Sequence, residues 1–208
     1  DCAGDDRYSA GVFAQGVGYW GGVGVLLDRA GNDRYSGVWY VMAASAHFAA
    51  AVFLDDAGND SYRASMNAAC GAGHDYSVSF FRDGAGDDAY EMPNLSLGAG
   101  NANGIGIFIE AAGNDRYSAR GVCLGAAAGG RKVKGIRAFS LTLGVFLDLG
   151  GEDAYPSKGI SPRDLPPADG ARWTHKRSKD APPSEKGLGM DVSPPALSFL
   201  RGPFIRRP

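Results

Sequence analysis

The 208 residues carry a net charge of −2, 44% hydrophobic side chains and 32 glycines. That apolar share supports a packed core, while glycine at about twice its usual frequency, without a collagen period, signals repeated turns or close backbone approaches. No run of about 18 apolar residues is present, so no helix spans a membrane; Cys2, Cys70 and Cys123, odd in number and far apart, argue against a disulfide scaffold or a thiol zinc site.

The chain opens on DCAGDDRY at Asp1. The same pattern returns as DRAGNDRY at Asp28, DDAGNDSY at Asp55, DGAGDDAY at Asp83, EAAGNDRY at Glu110 and DLGGEDAY at Asp148. The intervals are 27, 27, 28, 27 and 38 residues, and the long one places its extra residues in the basic stretch 129–138. Because Asp1 already lies inside a repeat, any signal peptide is upstream or absent.

Before each later turn stands a short apolar run rich in β-branched or aromatic residues: GVGVLLD, AAVFLD, VSFFRD, IGIFIE and LGVFLD. Such runs, bounded by turn residues, read as strands. After each turn come Tyr, small polar residues and a glycine- and alanine-rich passage with no helical period. Propeller blades need about 40 residues and helical-pair repeats about 33. The pattern therefore predicts an all-β fold, a parallel β-helix (β-solenoid) of five to six coils, about 25–30 Å long at about 4.8 Å per coil. Each coil depends on stacking against its neighbours.

Stacking converts every repeat position into a column. Tyr8, Tyr35, Tyr62, Tyr90, Tyr117 and Tyr155 form an aromatic ladder. A first acidic column holds Asp1, Asp28, Asp55, Asp83, Glu110 and Asp148; a second holds Asp6, Asp33, Asp60, Asp88, Asp115 and Asp153. Between them run Asp5, Asn32, Asn59, Asp87, Asn114 and Glu152. Like charges one coil apart repel by roughly 1 kcal/mol in water and about 3–4 kcal/mol at an effective dielectric of 20. The columns need compensation. Asx-type capping of each turn's own N–H groups is one route, with Arg7, Arg34 and Arg116 placed to neutralise part of the charge. Calcium is the other, because a hard cation takes six to eight oxygens from carboxylates, amides and carbonyls. On that reading the metal ligands are Asp28, Asn32, Asp33, Asp55, Asn59, Asp60, Asp83, Asp87, Asp88, Glu110, Asn114 and Asp115.

The A-G-N-D-R-Y turn resembles the G-x-G-x-D-x-U-x core of RTX calcium nonapeptides, which form parallel β-rolls. The resemblance covers six to eight residues per repeat, at one core per 27 residues rather than every nine, with Ala usually before the glycine. It implies calcium at Gly31, Asp33 and their equivalents.

Away from the turns, His47 and Asp75 occupy equivalent places in adjacent coils, with His74 beside them. A His–Asp pair can orient a general base; Ser45 and Cys70 lie in neighbouring columns, but no third residue completes a triad. The alternative to catalysis is a polar pair on the outer face. Arg131, Lys132, Lys134 and Arg137 concentrate charge in the insertion, yet no aromatics interleave with them and the solenoid is acidic, so nucleic acid is not an expected partner. The pre-turn strands are apolar on both sides. A strand of that kind is normally buried on both, which predicts that their outer side is covered by the C-terminal segment or by a partner subunit.

Residues 1–155 hold 18 acidic and 11 basic side chains, whereas 156–208 hold 5 acidic, 10 basic and ten of the eleven prolines. The boundary separates a repeat domain, 1–155, from a Pro-rich basic segment, 156–208, in which 187–192 echoes the repeat strand and reads as a cap. The expected function is a non-catalytic, extracytoplasmic or secreted β-solenoid, stabilised by calcium or acidic turns. It would serve structure or surface interaction: self-association, or a carbohydrate or other surface partner met through exposed Trp20, Trp39 and Tyr40. The alternative is a polysaccharide-active β-helix enzyme, lyase or hydrolase. Such a site should break the repeat, and the cluster that does so is His47, His74 and Asp75, with Arg82 nearby.

Overall fold

The structure, a computed structural model, describes residues 1–129, 133–156, 168–175 and 184–192. Arg131, Lys132 and the Pro-Pro pairs at 166–167, 182–183 and 194–195 lie outside the described residues. The repeats form a β-solenoid of parallel coils, as their spacing predicts, with three main rows of strands. A tyrosine sheet stacks Arg7–Ser9, Arg34–Gly37, Ser61–Ala64, Ala89–Met92 and Arg116–Ala119. A phenylalanine sheet stacks Val23–Asp28, Ala50–Asp55, Val78–Asp83, Ile105–Glu110 and Thr142–Asp148. A short alanine sheet stacks Ser45–Ala46, Gly73–His74, Gly100–Asn101 and Ala127–Ala128.

Pairing holds identical repeat positions opposite one another, Tyr8 to Tyr35 to Tyr62 and Phe53 to Phe81 to Phe108. The six tyrosines stack at 4.7–5.2 Å between ring centroids. Phe53, Phe81, Phe108 and Phe146 stack at 4.8–5.1 Å. Across the core the two ladders meet edge to face, at 77° for Tyr35 and Phe53 and 83° for Tyr90 and Phe108. Offset stacking along the axis and T-shaped contact across it are the two arrangements that the ring quadrupole favours.

Side chains alternate along the phenylalanine sheet. Phe53 and Ala51 point inward and are buried, whereas Val52 and Leu54 point outward. The inward small column lets the alanine sheet approach closely: a Cβ at Gly106 would lie 2.2 Å from the Ala99 carbonyl oxygen. The turn glycines answer a different demand. Gly86 has φ +146, and a Cβ there would lie 1.5 Å from the carbonyl oxygen of Gly58 in the preceding coil.

The last coil is completed from the C-terminal segment. Glu185–Asp191 pairs in parallel with Thr142–Asp148, matching Asp191 to Asp148, and Arg172–Thr174 adds antiparallel to its far edge. Gly189 occupies the register position of the phenylalanine ladder. The Trp173 ring fills the missing side chain's place, 2.0 Å from where a Gly189 Cβ would stand. Trp173 is buried, packs 5.6 Å from Phe146 and donates its indole N–H to the Leu124 carbonyl at 3.1 Å. Trp173→Ala therefore opens the end of the core and should cost about 3–5 kcal/mol, read as a lowered guanidinium midpoint.

Candidate cation-binding site

The turn between the phenylalanine and tyrosine sheets brings the two acidic columns together inside the molecule. Asp28, Asp55, Asp83, Glu110, Asp148 and Asp191 end the phenylalanine-sheet strands and are buried, as are Asp33, Asp60, Asp88 and Asp115 of the second column. Asp1, at the head of the first column, is exposed. Each tyrosine hydroxyl donates to the first-column acid of the next coil: Tyr8 to Asp28 at 2.6 Å, Tyr35 to Asp55 at 2.8 Å, Tyr62 to Asp83 at 2.5 Å and Tyr117 to Asp148 at 2.6 Å. Tyr90 and Glu110 pair likewise, and Tyr155 donates to Asp191 at 2.6 Å.

The second column bonds along the axis. The backbone N–H of Asp33 donates to Asp60 Oδ1 at 2.6 Å, that of Asp60 to Asp88 at 2.5 Å and that of Asp88 to Asp115 at 2.7 Å. Asn32, Asn59, Asp87 and Asn114 run their own ladder in the opposite sense, each side-chain oxygen accepting the N–H of its counterpart one coil on, at 2.9–3.0 Å. These four are exposed, on the solvent side of the turn. Of the twelve residues that the sequence nominates as ligands, the structure thus converges the eight acids of the two buried columns.

Each group joins two consecutive second-column acids to the first-column acid between them: Asp33–Asp55–Asp60, Asp60–Asp83–Asp88, Asp88–Glu110–Asp115 and Asp115–Asp148–Asp153, preceded by Asp6–Asp28–Asp33. Within a group one oxygen from each residue lies within 4.8 Å of the others. Because neighbouring groups share a residue, they form a continuous file along the axis. Six of its carboxylate oxygens are buried with no hydrogen-bond partner: Oδ2 of Asp33, Asp60, Asp88 and Asp153, and Oδ1 of Asp55 and Asp83.

No ion pair among the described residues reaches the file; Arg7, Arg34 and Arg116 point into solvent. Turn capping is in place at Asp1, Asp28, Glu110 and Asp148, whose side-chain oxygens accept N–H groups of their own turns at 2.5–3.3 Å. Burial first, and then the charge of neighbouring acids, raises the carboxyls of the file from Asp33 to Asp153 above their ordinary values. Asp60 is pushed up to about 8, and Asp33, Asp55, Asp88 and Glu110 shift the same way. An ionised file with no counter-charge is the arrangement that a low-dielectric interior penalises most. It must hold cations or protons.

The off-repeat cluster sits on an outer corner. His47 and Phe48, Asp75 and Tyr76, and Ala102 and Asn103 all have positive φ, between 48° and 67°, and these pairs turn the chain from the alanine sheet into the phenylalanine sheet. His47 Nδ1 and Asp75 Oδ2 are 2.6 Å apart, and His74 Nδ1 bonds Asn101 Oδ1 at 2.7 Å. Arg137, from the insertion, reaches back to Asp75 Oδ1 and lies 4.6 Å over the Tyr76 ring. Burial opposes ionisation of Asp75, but the hydrogen bonds from Arg137 and His47 prevail and hold its carboxyl below the usual range. Arg137 was legible only as one charge in a basic run; its landing place two coils back needed the folded chain. Ser45 is buried against Ser79, and the Cys70 sulfur lies 3.6 Å from those of Met42 and Met92, its thiol pushed well up by burial. Both face away from His47, into the core. Trp20 is 68% exposed and stacks on His47 at 4.8 Å, Trp39 is 39% exposed, and Tyr40 is buried. Family models, curated proteins and solved structures alike yield no match to this chain.

Proposed function

We propose that this chain is a non-catalytic structural or surface-interaction β-solenoid whose buried acidic file takes up calcium. The observation that carries the reading is the set of buried carboxylate oxygens without partners. Three carboxylates whose oxygens lie within 4.8 Å of one another surround a space suited to metal–oxygen distances of about 2.3–2.6 Å. Magnesium needs near-octahedral geometry at about 2.0–2.1 Å and keeps several waters, which fits a file of buried carboxylates poorly. Calcium there acts as a staple between coils, because each group draws on adjacent turns. A millimolar-calcium, extracytoplasmic setting would keep weak sites of this kind filled. The acids follow the repeat rather than gathering at one centre, and the His47–Asp75 pair has no nucleophile beside it among the described residues, which favours scaffold over enzyme.

Proton and calcium uptake compete, and the sign of the competition is fixed. The raised carboxyls of the file hold protons more tightly than unfolded ones at about 3.9, so in the cation-free protein their contribution to stability is greatest at low pH. That contribution is lost as pH rises through the folded values, about 8 for Asp60. Melting in chelator should therefore show Tm falling from about pH 5 to about pH 9.

Calcium should reverse that loss. Its stabilisation follows mass action, about 2.7 kcal/mol at 100 times Kd, and the rise in Tm should be larger at pH 9 than at pH 5. Equal melting temperatures in chelator and in millimolar calcium across this range would leave protons as the neutralising agent and refute the reading.

Asp88 belongs to two groups. Asp88→Asn should raise Tm in chelator at high pH, by removing a buried like charge, while shrinking the calcium response. Calorimetry of the two proteins side by side measures both effects.

A further inference from the structure

The outward side of the phenylalanine sheet is a second unusual surface. Its central column runs Val25, Val52, Phe80, Ile107, Val145 and Leu188, in register across six parallel strands. The flanking outward columns are aliphatic too, except for Arg82, which pairs with Asp56 at 3.3 Å, and Lys186 in the last parallel strand. Val23, Val25 and Leu27 are 74%, 57% and 48% exposed, and every other residue of the central column is half-buried or exposed. The described strands pack against the inner side of this sheet only. Its edge strand Arg172–Thr174 sends Trp173 inward and leaves Arg172 and Thr174 exposed, so the apolar surface ends at a polar border.

Six strands of six residues cover roughly 29 Å by 20 Å, about 600 Å². That is at the upper limit of apolar patches on soluble monomers. Two such faces together supply roughly 1,200 Å², which reaches the size of a specific interface. We infer that this face packs against the same face of a second copy of the chain, sheet on sheet, as an isologous dimer. The chain's own residues 193–208 suit the surface less well. They carry Arg201, Arg206 and Arg207 along with four prolines, and the acid at the margin of the face, Asp56, is already paired with Arg29 and Arg82. The inference does not rest on calcium.

Sedimentation equilibrium of the full chain, run in chelator and in calcium, tests it. A concentration-dependent dimer is expected at micromolar protein. Ile107→Lys places an unpaired charge at the centre of the interface and should weaken dimerisation by about 100-fold or more, with the circular dichroism spectrum unchanged. Ile107→Thr, which keeps a β-branched side chain suited to a strand, should weaken it less and guards against misfolding of the Lys variant. A monomer at every concentration, whatever then covers the face, overturns the inference. So does a dimer that Ile107→Lys leaves intact.

Discussion

Along the paired strands of this molecule each side chain is stacked on the register-equivalent position of the next coil, about 4.8 Å away. In the aromatic and acidic columns like therefore meets like, and that constraint sorts the residue types. Aromatic rings gain from it, because offset stacking is available along the axis and edge-to-face contact across it. Asn32, Asn59, Asp87 and Asn114 gain as well, since each side chain reaches the N–H one coil on. Carboxylates in the interior are the residues for which self-stacking is unfavourable.

The acidic file is thus the place where the fold works against its own electrostatics. The tyrosine hydroxyls and the inter-coil N–H groups satisfy one oxygen of many acids and leave the other buried without a partner. An apolar or amide side chain at Asp60 or Asp88 would avoid this burden, so acids at this depth are consistent with a ligand that uses them. The same geometry leaves one set of buried oxygens short of partners, and their raised proton affinity ties stability to pH.

The solenoid's outer surfaces divide the remaining work. The corner holding His47 and Asp75 is locked by Arg137 from the only long interval between repeats, so the insertion acts as a strap over two coils. The outward side of the phenylalanine sheet presents a largely apolar surface, interrupted at Arg82 and Lys186.

A 27-residue period with a turn and a strand in each unit leaves room for one architecture, so coil number, register and the tyrosine ladder were legible in the amino-acid sequence. The reason is physical: in a stacked fold sequence distance converts directly into axial distance, and equivalent positions must touch. Other features depended on how the chain turns between strands, which the period does not encode. Asn32 and Asp33 are adjacent in sequence, yet one faces solvent and the other the file, a difference set by the turn at Gly31. Tyr40 looked as available for contact as Trp39 and is buried. Trp173 fills the aromatic place vacated at Gly189, and Arg137 finds Asp75 from 62 residues away. Both contacts join non-equivalent positions, where repetition carries no information and only the tertiary structure decides the partner.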